Sequence, residues 1–279
     1  MKKQHTPTAM WKALAYLLFG LFIISILYPL VMTLMISVKT PADFTINPTG
    51  PPAGIYWQNY VNAWSKGNFS LLMVNSLIVT AATVILTILL ASPAGFVLAK
   101  LNIKGGKLFF YYFILGMIVP VQVLMIPLLK IGQALGIYNT LAFLVLIFTA
   151  TGMAFPLMIY TSFYKALPGD ILEAARIDGC NTVNLFLKII FPLTAAVNAT
   201  VAIIAGMFPW KDFFIPLVFS SREEVRTLTV GLFKFSGNYY TEWTTVFAAI
   251  VIQSLPLILL YLLVQKTFIS GVTSGAVKG

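Results

Sequence analysis

Charged residues are scarce in this sequence. Only 9% of its 279 residues are Asp, Glu, Lys or Arg, whereas 59% are hydrophobic. An ordinary soluble domain is about 25% charged and 45–50% apolar. A soluble core of this size cannot bury so much apolar surface. The composition therefore excludes a soluble globular protein and predicts an integral membrane protein.

Residue types that usually carry chemistry are scarce as well. There is one cysteine, Cys180, and one histidine, His5, which excludes an intrachain disulfide and leaves no His/Cys metal cluster or Ser/His/Asp set. The Gly-Gly-Lys run at residues 105–107 is followed by Leu108, so it is not a phosphate-binding loop. We expect no cofactor, no metal and no ATPase site. If the chain moves a solute uphill, the energy must come from another subunit.

Long apolar runs without charged side chains are abundant. A span needs about 20 mostly apolar residues to cross a hydrocarbon core of about 30 Å. Six runs qualify, at residues 13–36, 71–99, 108–129, 141–163, 189–208 and 246–264. They lack the alternation of barrel strands, so we predict an all-α membrane protein with six transmembrane helices. This domain, residues 13–266, lies between an N-terminal tail (1–12) and a C-terminal tail (267–279).

The distribution of Lys and Arg predicts the orientation. With the N terminus inside, eleven of the 18 basic residues fall on inner segments and seven on outer ones. Both tails and the loop at residues 168–192 then face the cytoplasm. The basic residues lie singly at the ends of apolar runs, which favours membrane orientation over nucleic-acid binding.

Charges and helix-ending residues interrupt the apolar sequence in the loop at residues 168–192. Asp170 and Glu173 have the spacing of a capping box, which predicts a helix over residues 171–178. Gly179 is placed to end that helix, because a helix C terminus often needs a positive φ that glycine adopts cheaply. The first half of the loop is therefore predicted to be a short, capped helix followed by a glycine bend.

A second helix is predicted after the glycine. Asn181 or Thr182 can serve as its N-cap. Its apolar face has i, i+3, i+4 spacing and comprises Phe186, Ile189 and Ile190. Pro192 lies where it can bend the entry into the fifth span. The whole loop is predicted to be a helix–glycine–helix surface element, the alternative being an ordinary amphipathic interfacial loop.

Three polar side chains within or near the spans are candidates for a translocation pathway: Asn75, Gln122 and Gln253. Hydrogen bonding between helices is the alternative explanation for them. Pro120 and Pro127 in the third span either bend it or are simply tolerated there. Outside the membrane, residues 210–242 are the segment most suited to an extracytoplasmic partner.

The loop resembles the EAA loop of the permease subunits of bacterial ABC importers. It contains Glu-Ala-Ala at 173–175, Gly179, Ile189 and Pro192 at the spacing of that signature, with Phe191 where the family usually has Leu. The resemblance extends over nearly the whole chain. Further matches to carbohydrate-type permeases lie at residues 75–77, 210–219, 227–232 and 270–279, with Lys211 in place of the usual Asn.

The resemblance implies a permease of a maltose-type, carbohydrate-uptake ABC importer in the bacterial cytoplasmic membrane. Its implied partners are a second homologous permease, two cytoplasmic ATPase subunits that bind the ATP, and an extracytoplasmic solute-binding protein. In that family the loop docks in a groove of the ATPase. The residues implied to couple the two subunits are Glu173, Ala174, Ala175, Asp178 and Gly179.

Other functions remain as alternatives at this stage. The same machinery could import a sugar phosphate such as glycerol-3-phosphate, although no arginine lies within a predicted span. A channel, a secondary carrier or a membrane-embedded enzyme belongs to a different class. A carrier would need charged groups within the membrane and an enzyme would need a polar constellation at one depth, and neither is evident in the sequence.

Overall fold

The computed structural model describes residues 9–66, 68–232 and 241–276, and most of them are helical. The predicted all-α fold is confirmed. The ends of both predicted tails, residues 1–8 and 277–279, lie outside the described residues, as do Lys234 and Tyr239–Tyr240 of the predicted outer segment. Helical structure reaches into both tails, because the first helix begins at Ala9 and the last ends at Ala276.

The helices follow one another along the chain with short connections. They are α1 (Ala9–Ser37), α2 (Pro41–Ile46), α3 (Gln58–Lys66), α4 (Phe69–Lys100), α5 (Gly106–Gly116), α6 (Met125–Ala134), α7 (Leu141–Gly152), α8 (Ala154–Ala166), α9 (Gly169–Ile177), α10 (Thr182–Asn184), α11 (Phe191–Leu193), α12 (Ala195–Lys211), α13 (Phe214–Phe219), α14 (Leu228–Gly231) and α15 (Trp243–Ala276). Two 3₁₀ turns (Val121–Leu124 and Glu223–Val225) and one π-helix (Leu185–Ile190) complete the described elements.

Three of the predicted spans are single helices. Among the described residues, α1, α4 and α15 each have an apolar stretch long enough to cross a membrane. At about 1.5 Å per residue, the 32 residues of α4 extend well beyond a hydrocarbon core of about 30 Å. Helix α4 must therefore tilt or project from the membrane.

Each of the other three predicted spans is a pair of helices with a bend between them. The third span is α5 followed by the 3₁₀ turn and α6, bent by 95°. The fourth is α7 and α8, bent by 52°. The fifth is residues 182–193 and α12, bent by 77°. When each bent pair is counted as one, the described residues contain up to six candidate spans, in agreement with the six predicted transmembrane helices.

Two of the breaks have the same chemical cause. A proline removes its own N–H and its ring clashes with the carbonyl group four residues earlier. Pro120 and Pro156 stand four residues after Gly116 and Gly152, the last residues of α5 and α7. The bend at Pro120 agrees with the expectation that proline bends the third span. Pro127 lies in the first turn of α6, where proline is tolerated.

The chain divides into two compact units. One comprises residues 1–67 and 234–255, and the other comprises residues 68–233 and 256–279. In the first unit, the buried Asn59 of α3 donates hydrogen bonds to the carbonyl oxygens of Ser37 and Lys39 at 2.9 and 2.7 Å. Its own side-chain oxygen accepts from the Thr244 hydroxyl at 3.2 Å. These bonds tie the end of α1 to α3 and to the start of α15.

The second unit is built around α4, which packs against α7, α8 and α12. Two buried apolar clusters fill the spaces between these helices. One lies near the C-terminal end of α4 and comprises Ala91, Phe96, Met153, Tyr160, Tyr164, Leu172, Ala175, Leu185, Ile190 and Val201. The other comprises Val79, Phe143, Leu144, Val145, Ile147, Phe148, Ile215 and Phe219. The first cluster includes residues of the loop between α8 and α12, so that loop is packed onto the bundle.

Candidate functional site

The first helix of the loop, α9, begins earlier than the capping-box pattern predicts. Its first residue is Gly169, and Pro168 precedes it with φ −56° and ψ 139°. Pro168 has no polar side chain with which to cap the helix. Because Asp170 already lies within the first turn, it cannot be the N-cap, and the predicted capping box is wrong. The Asp170 carboxylate still lies at the positive end of the helix dipole.

The end of α9 is as predicted, and Gly179 determines where it lies. This residue has φ +77°, a region that residues with a side chain rarely adopt. The Gly179 N–H donates to the Arg176 carbonyl oxygen and the Cys180 N–H to the Ala175 carbonyl oxygen, both at 3.0 Å. These are the two bonds of a Schellman motif. Gly179 therefore closes α9 and sets the direction in which the chain leaves it.

The second helix of the loop is also present, with one difference. The Asn181 side chain caps it by accepting a 2.8 Å hydrogen bond from the Asn184 N–H, so Asn181 rather than Thr182 is the cap. The helix continues as a π-helix over Leu185–Ile190. Because π geometry changes the spacing of a face, Leu185 and Ile190 are the buried pair, with Phe186 and Ile189 packed beside them. The 77° bend follows at Thr194, two residues after Pro192.

The predicted coupling residues lie on two sides of α9. Ala175 faces the bundle, with only 3% of its surface exposed, beside the similarly buried Leu172. Exposed positions are Glu173, Ala174, Asp178 and Gly179. Leu172 was not among the predicted residues, although its spacing of three from Ala175 on a short helix would have indicated a shared face.

The loop also exposes large apolar residues. Ile177 is 85% exposed, Val183 is 65% exposed and Leu187 is 55% exposed. Glu173 and Asp178 are exposed as well, and so are Arg176 and Lys188, so the exposed side of the loop mixes apolar residues with charges of both signs; we call it the loop surface. The loop surface combines the apolar contact area and polar groups that protein interfaces use.

Two buried tyrosines of α8 belong to the apolar cluster on which the loop packs. The Tyr164 hydroxyl shares a 2.7 Å hydrogen bond with the Ser92 hydroxyl, and the Tyr160 hydroxyl donates to the Asn198 side-chain oxygen at 2.7 Å. The two tyrosine rings stack, with centroids 5.9 Å apart and planes 15° from parallel. These bonds join α8 to α4 and to α12 within the cluster on which the loop packs.

Asn75, one of the predicted pathway residues, has both of its amide hydrogens engaged. The Asn75 side chain donates to the carbonyl oxygens of Glu224 and Arg226 at 2.8 and 2.9 Å. The neighbouring Ser76 hydroxyl accepts from the Leu228 N–H at 2.9 Å. These bonds clamp the segment between α13 and α14 onto the N-terminal part of α4. A pathway role for Asn75 stays a prediction.

Replacement of Asn75 by Asp is expected to loosen this segment. A carboxylate cannot donate to the two carbonyl oxygens that the amide satisfies, and one buried unsatisfied group costs about 1–3 kcal/mol. The measurement is the rate of trypsin cleavage after Arg222 and Arg226 in the purified protein. Asn62→Asp is the control, since Asn62 accepts a hydrogen bond from Gln58 and an aspartate can still do so. Equal cleavage rates in the two variants would contradict the clamp.

The other two predicted pathway residues lie apart from Asn75 along the chain. Gln122 is exposed in the 3₁₀ turn that follows the break in the third span. Gln253 is half-buried in α15 and belongs to the other compact unit. Their roles in a pathway also stay predictions.

Asp212, in the predicted extracytoplasmic segment, is a structural residue at the end of α12. Its carboxylate accepts a 2.8 Å hydrogen bond from the Ile215 N–H, and its carbonyl oxygen accepts from the Thr229 hydroxyl at 2.7 Å. Burial raises the pKa of the Asp212 carboxyl, while the Ile215 and Phe214 N–H groups and Lys211 act in the opposite direction. The turn between α12 and α13 is thus fixed by Asp212.

Comparisons with known proteins indicate the family to which the chain belongs. A profile described as binding-protein-dependent transport system inner membrane component matches residues 91–274. The probable ABC transporter permease protein YurM of Bacillus subtilis is 33% identical over 93% of this chain and 86% of its own length. The melibiose/raffinose/stachyose import permease protein MelC of the same organism is 34% identical over 90% of this chain and 91% of its own.

A solved structure is similar along its whole length. It is the crystal structure of a bacterial ABC transporter involved in the import of the acidic polysaccharide alginate. One of its chains superposes with a TM-score of 0.82 at 25% identity and covers 94% of this chain and 100% of itself. With the profile match over most of the sequence, this shows that the chain belongs to the family of inner-membrane permease components of binding-protein-dependent ABC transporters, as the loop signature predicts.

Proposed function

We propose that this chain is a transmembrane permease subunit of an ABC importer that carries a sugar or oligosaccharide across the cytoplasmic membrane. The observation that carries the proposal is the packed helix–glycine–helix loop in a chain that is similar over at least 90% of its length to sugar permeases. Besides MelC, the sulfoquinovosyl glycerol transport system permease protein SmoH of Agrobacterium fabrum is 32% identical over 96% of this chain. Its substrate also contains a sugar.

The alternatives are less well supported. A sugar phosphate such as glycerol-3-phosphate is not favoured, because SmoH and MelC are named for a sugar glycoside and for saccharides. A channel or secondary carrier would not need a surface that docks an energy-supplying subunit. The exposed loop surface, with Ile177 almost fully accessible, is the feature that separates these classes.

The loop surface supports a coupling mechanism. In the proposed complex, two ATPase subunits, which bind the ATP, lie on the cytoplasmic side. One of them receives this loop in a groove. Glu173 makes polar contacts there, the exposed Ala174 permits close approach, Asp178 ends α9 and Gly179 fixes its exit. Closure of the ATPases moves the loop, and the buried Leu172 and Ala175 pass that movement to the bundle.

Two further partners complete the proposed assembly. A second, homologous permease forms the other half of the transmembrane pathway, and an extracytoplasmic solute-binding protein delivers the sugar. The clamped segment between α13 and α14 lies at the end of the bundle opposite the loop along α4, since Asn75 is near the first residue of α4 and Phe96 near the last. This segment is the proposed docking region for the binding protein.

The function is tested by reconstituting the chain with its partner permease, ATPases and binding protein in lipid vesicles. We expect uptake of a labelled sugar from a panel of melibiose, raffinose and stachyose that requires ATP. The isolated chain should bind no ATP, because its sequence has no phosphate-binding loop. Saturable labelling of the isolated chain by an ATP analogue, or ATP-independent uptake by the chain alone, would overturn the proposal.

The proposed orientation makes its own prediction. In intact cells, with Cys180 replaced by Ser, Thr182→Cys should not react with a membrane-impermeant thiol reagent, but should react once the cells are permeabilised. The reason is the excess of Lys and Arg on the loop side of the membrane. Thr182 is exposed in the loop, so burial within the chain does not prevent its reaction. Reaction in intact cells would place the loop outside and reverse the topology.

A further inference from the structure

Helix α3 exposes an apolar stripe on one side while its other side is packed within its unit. The packed side carries the buried residues Asn59 and Ala63. At 3.6 residues per turn, Trp57, Val61 and Trp64 lie together on the opposite side, and Trp57 directly precedes the helix. All three are exposed, Trp57 to 65%. Exposed apolar stretches of this kind usually mark a surface that contacts a partner or a membrane.

A polar edge runs beside this stripe. Gln58 and Ser65 are exposed, and each follows a tryptophan of the stripe by one position, which turns it about 100° around the helix. A helix with one apolar and one polar exposed edge suits a boundary between lipid and water. Tryptophan is enriched at that boundary, because its ring is largely apolar while its N–H can form a hydrogen bond.

Hydrogen bonds fix the level of α3 relative to the end of α1. Besides the bonds from Asn59, the Tyr60 hydroxyl shares a 2.7 Å hydrogen bond with the Ser37 hydroxyl, and the Tyr56 N–H donates to the Val38 carbonyl oxygen at 2.8 Å. Helix α1 has 29 residues. At about 1.5 Å per residue it is about 44 Å long, which matches a bilayer of about 40–45 Å with both headgroup layers. Because Ser37 is the last residue of α1, these bonds hold α3 at the level of the headgroups.

The start of α15 places α3 at the same level. The bond from the Thr244 hydroxyl to Asn59 joins α3 to the first turn of this second span, whose first residue, Trp243, is exposed as well. The apolar surface of α1 also continues close to α3, since Leu34, about one turn before Ser37, is exposed. The stripe of α3 therefore adjoins apolar surface that faces the membrane.

We propose that α3 is an interfacial helix that binds the lipid surface. The side chains of Trp57, Val61 and Trp64 insert among the lipid headgroups and the upper acyl chains, while Gln58 and Ser65 face water. In the proposed orientation this is the outer leaflet. Through the bonds of its buried side, α3 anchors the ends of α1 and α15 at one depth in the membrane.

The test measures the depth of two positions on α3 in the complete importer, reconstituted in lipid vesicles. A nitroxide spin label is attached to Val61→Cys or, as the matched control on the polar edge, to Gln58→Cys. Cys180 is replaced by Ser, and the partner subunits carry no reactive cysteine. Both positions are exposed, so a label should fit without disturbing the fold. Power saturation of the spin signal compares collisions with oxygen, which concentrates in lipid, and with a water-soluble nickel chelate.

We expect the label at position 61 to collide more with oxygen than with the nickel chelate, and to lie within about 5–10 Å of the boundary between headgroups and acyl chains. The label at position 58 should show the reverse preference. Equal access of the nickel chelate to both labels would mean that the stripe faces water. A label at position 61 that neither reagent reaches would mean that another protein chain, such as the second permease, covers the stripe. Either outcome would overturn the inference and leave the proposed function standing, because sugar uptake tests that function separately.

Discussion

Gly179→Val should uncouple ATP hydrolysis from transport while the chain still enters the membrane. At φ +77° a β-branched residue is strained, and such a conformation costs about 1–3 kcal/mol for a residue that is not glycine. A Cβ atom at this position would meet no atom within 4 Å, so the strain comes from the backbone alone. Relief of the strain opens the Schellman bonds and changes the direction in which the loop leaves α9.

The measurement is sugar-stimulated ATPase activity and sugar uptake in the reconstituted complex, with assembly followed by co-purification. We expect uptake to fall by at least tenfold, which corresponds to about 1.4 kcal/mol of lost coupling. Gly179→Asn is the matched control, because asparagine adopts positive φ more readily than other residues with a side chain. It should retain most of the activity.

Glu173→Ala tests the contact with the ATPase separately from the backbone geometry at Gly179. Glu173 is exposed on the loop surface, so its replacement should leave the stability of the chain unchanged and weaken only the docking of the ATPase. A reduced ATPase rate with unchanged thermal stability is the expected result. If Gly179→Val and Glu173→Ala both assemble and transport at the parental rate, the loop is not the coupling element.

Gly95→Val should separate α4 from α8 and destabilise the second unit. A Cβ atom on Gly95 would lie 2.7 Å from the Tyr160 Cβ atom and 3.1 Å from the Thr161 backbone nitrogen. The helices cross at this point through a small residue, as membrane helices commonly do. Because the opposing atoms belong to the backbone and the first side-chain carbon, no rotamer change relieves the clash, and overpacking costs about 1–3 kcal/mol or more.

The temperature at which the purified chain aggregates measures this effect. Gly20→Val in α1 is the control, since a Cβ atom on Gly20 meets no atom within 4 Å. We expect a lower aggregation temperature for Gly95→Val than for Gly20→Val. A shift in the other direction, or none, would show that α4 and α8 can move apart without loss of stability.

Much of this molecule follows from its sequence. Apolar runs free of charge must become helices in lipid, because the backbone can satisfy its hydrogen bonds in no other open structure. The loop could be predicted for a similar reason. A positive φ is required where α9 ends, and Gly179 is the residue that supplies it cheaply.

The tertiary structure decided features that depend on contacts between distant residues. The capping-box prediction was wrong because α9 already begins at Gly169, directly after Pro168. The local sequence pattern does not show at which of two possible residues a helix begins. The break at Pro156 was not anticipated, whereas the similar one at Pro120 was recognised as an option. Membrane helices tolerate some prolines, such as Pro93 within α4, so a proline alone does not tell which helices break.

The hydrogen-bond partners of the buried polar residues could not be predicted from the sequence either. Nothing local links Asn75 to the carbonyl oxygens of Glu224 and Arg226, about 150 residues later, or Tyr160 to Asn198. Equally, the sequence shows Thr83 as one threonine among several, and only packing reveals that its hydroxyl is buried with no hydrogen-bond partner among the described residues. Periodicity and special residues determine the helices and the loop, whereas the pairing of buried polar groups is decided when the helices pack.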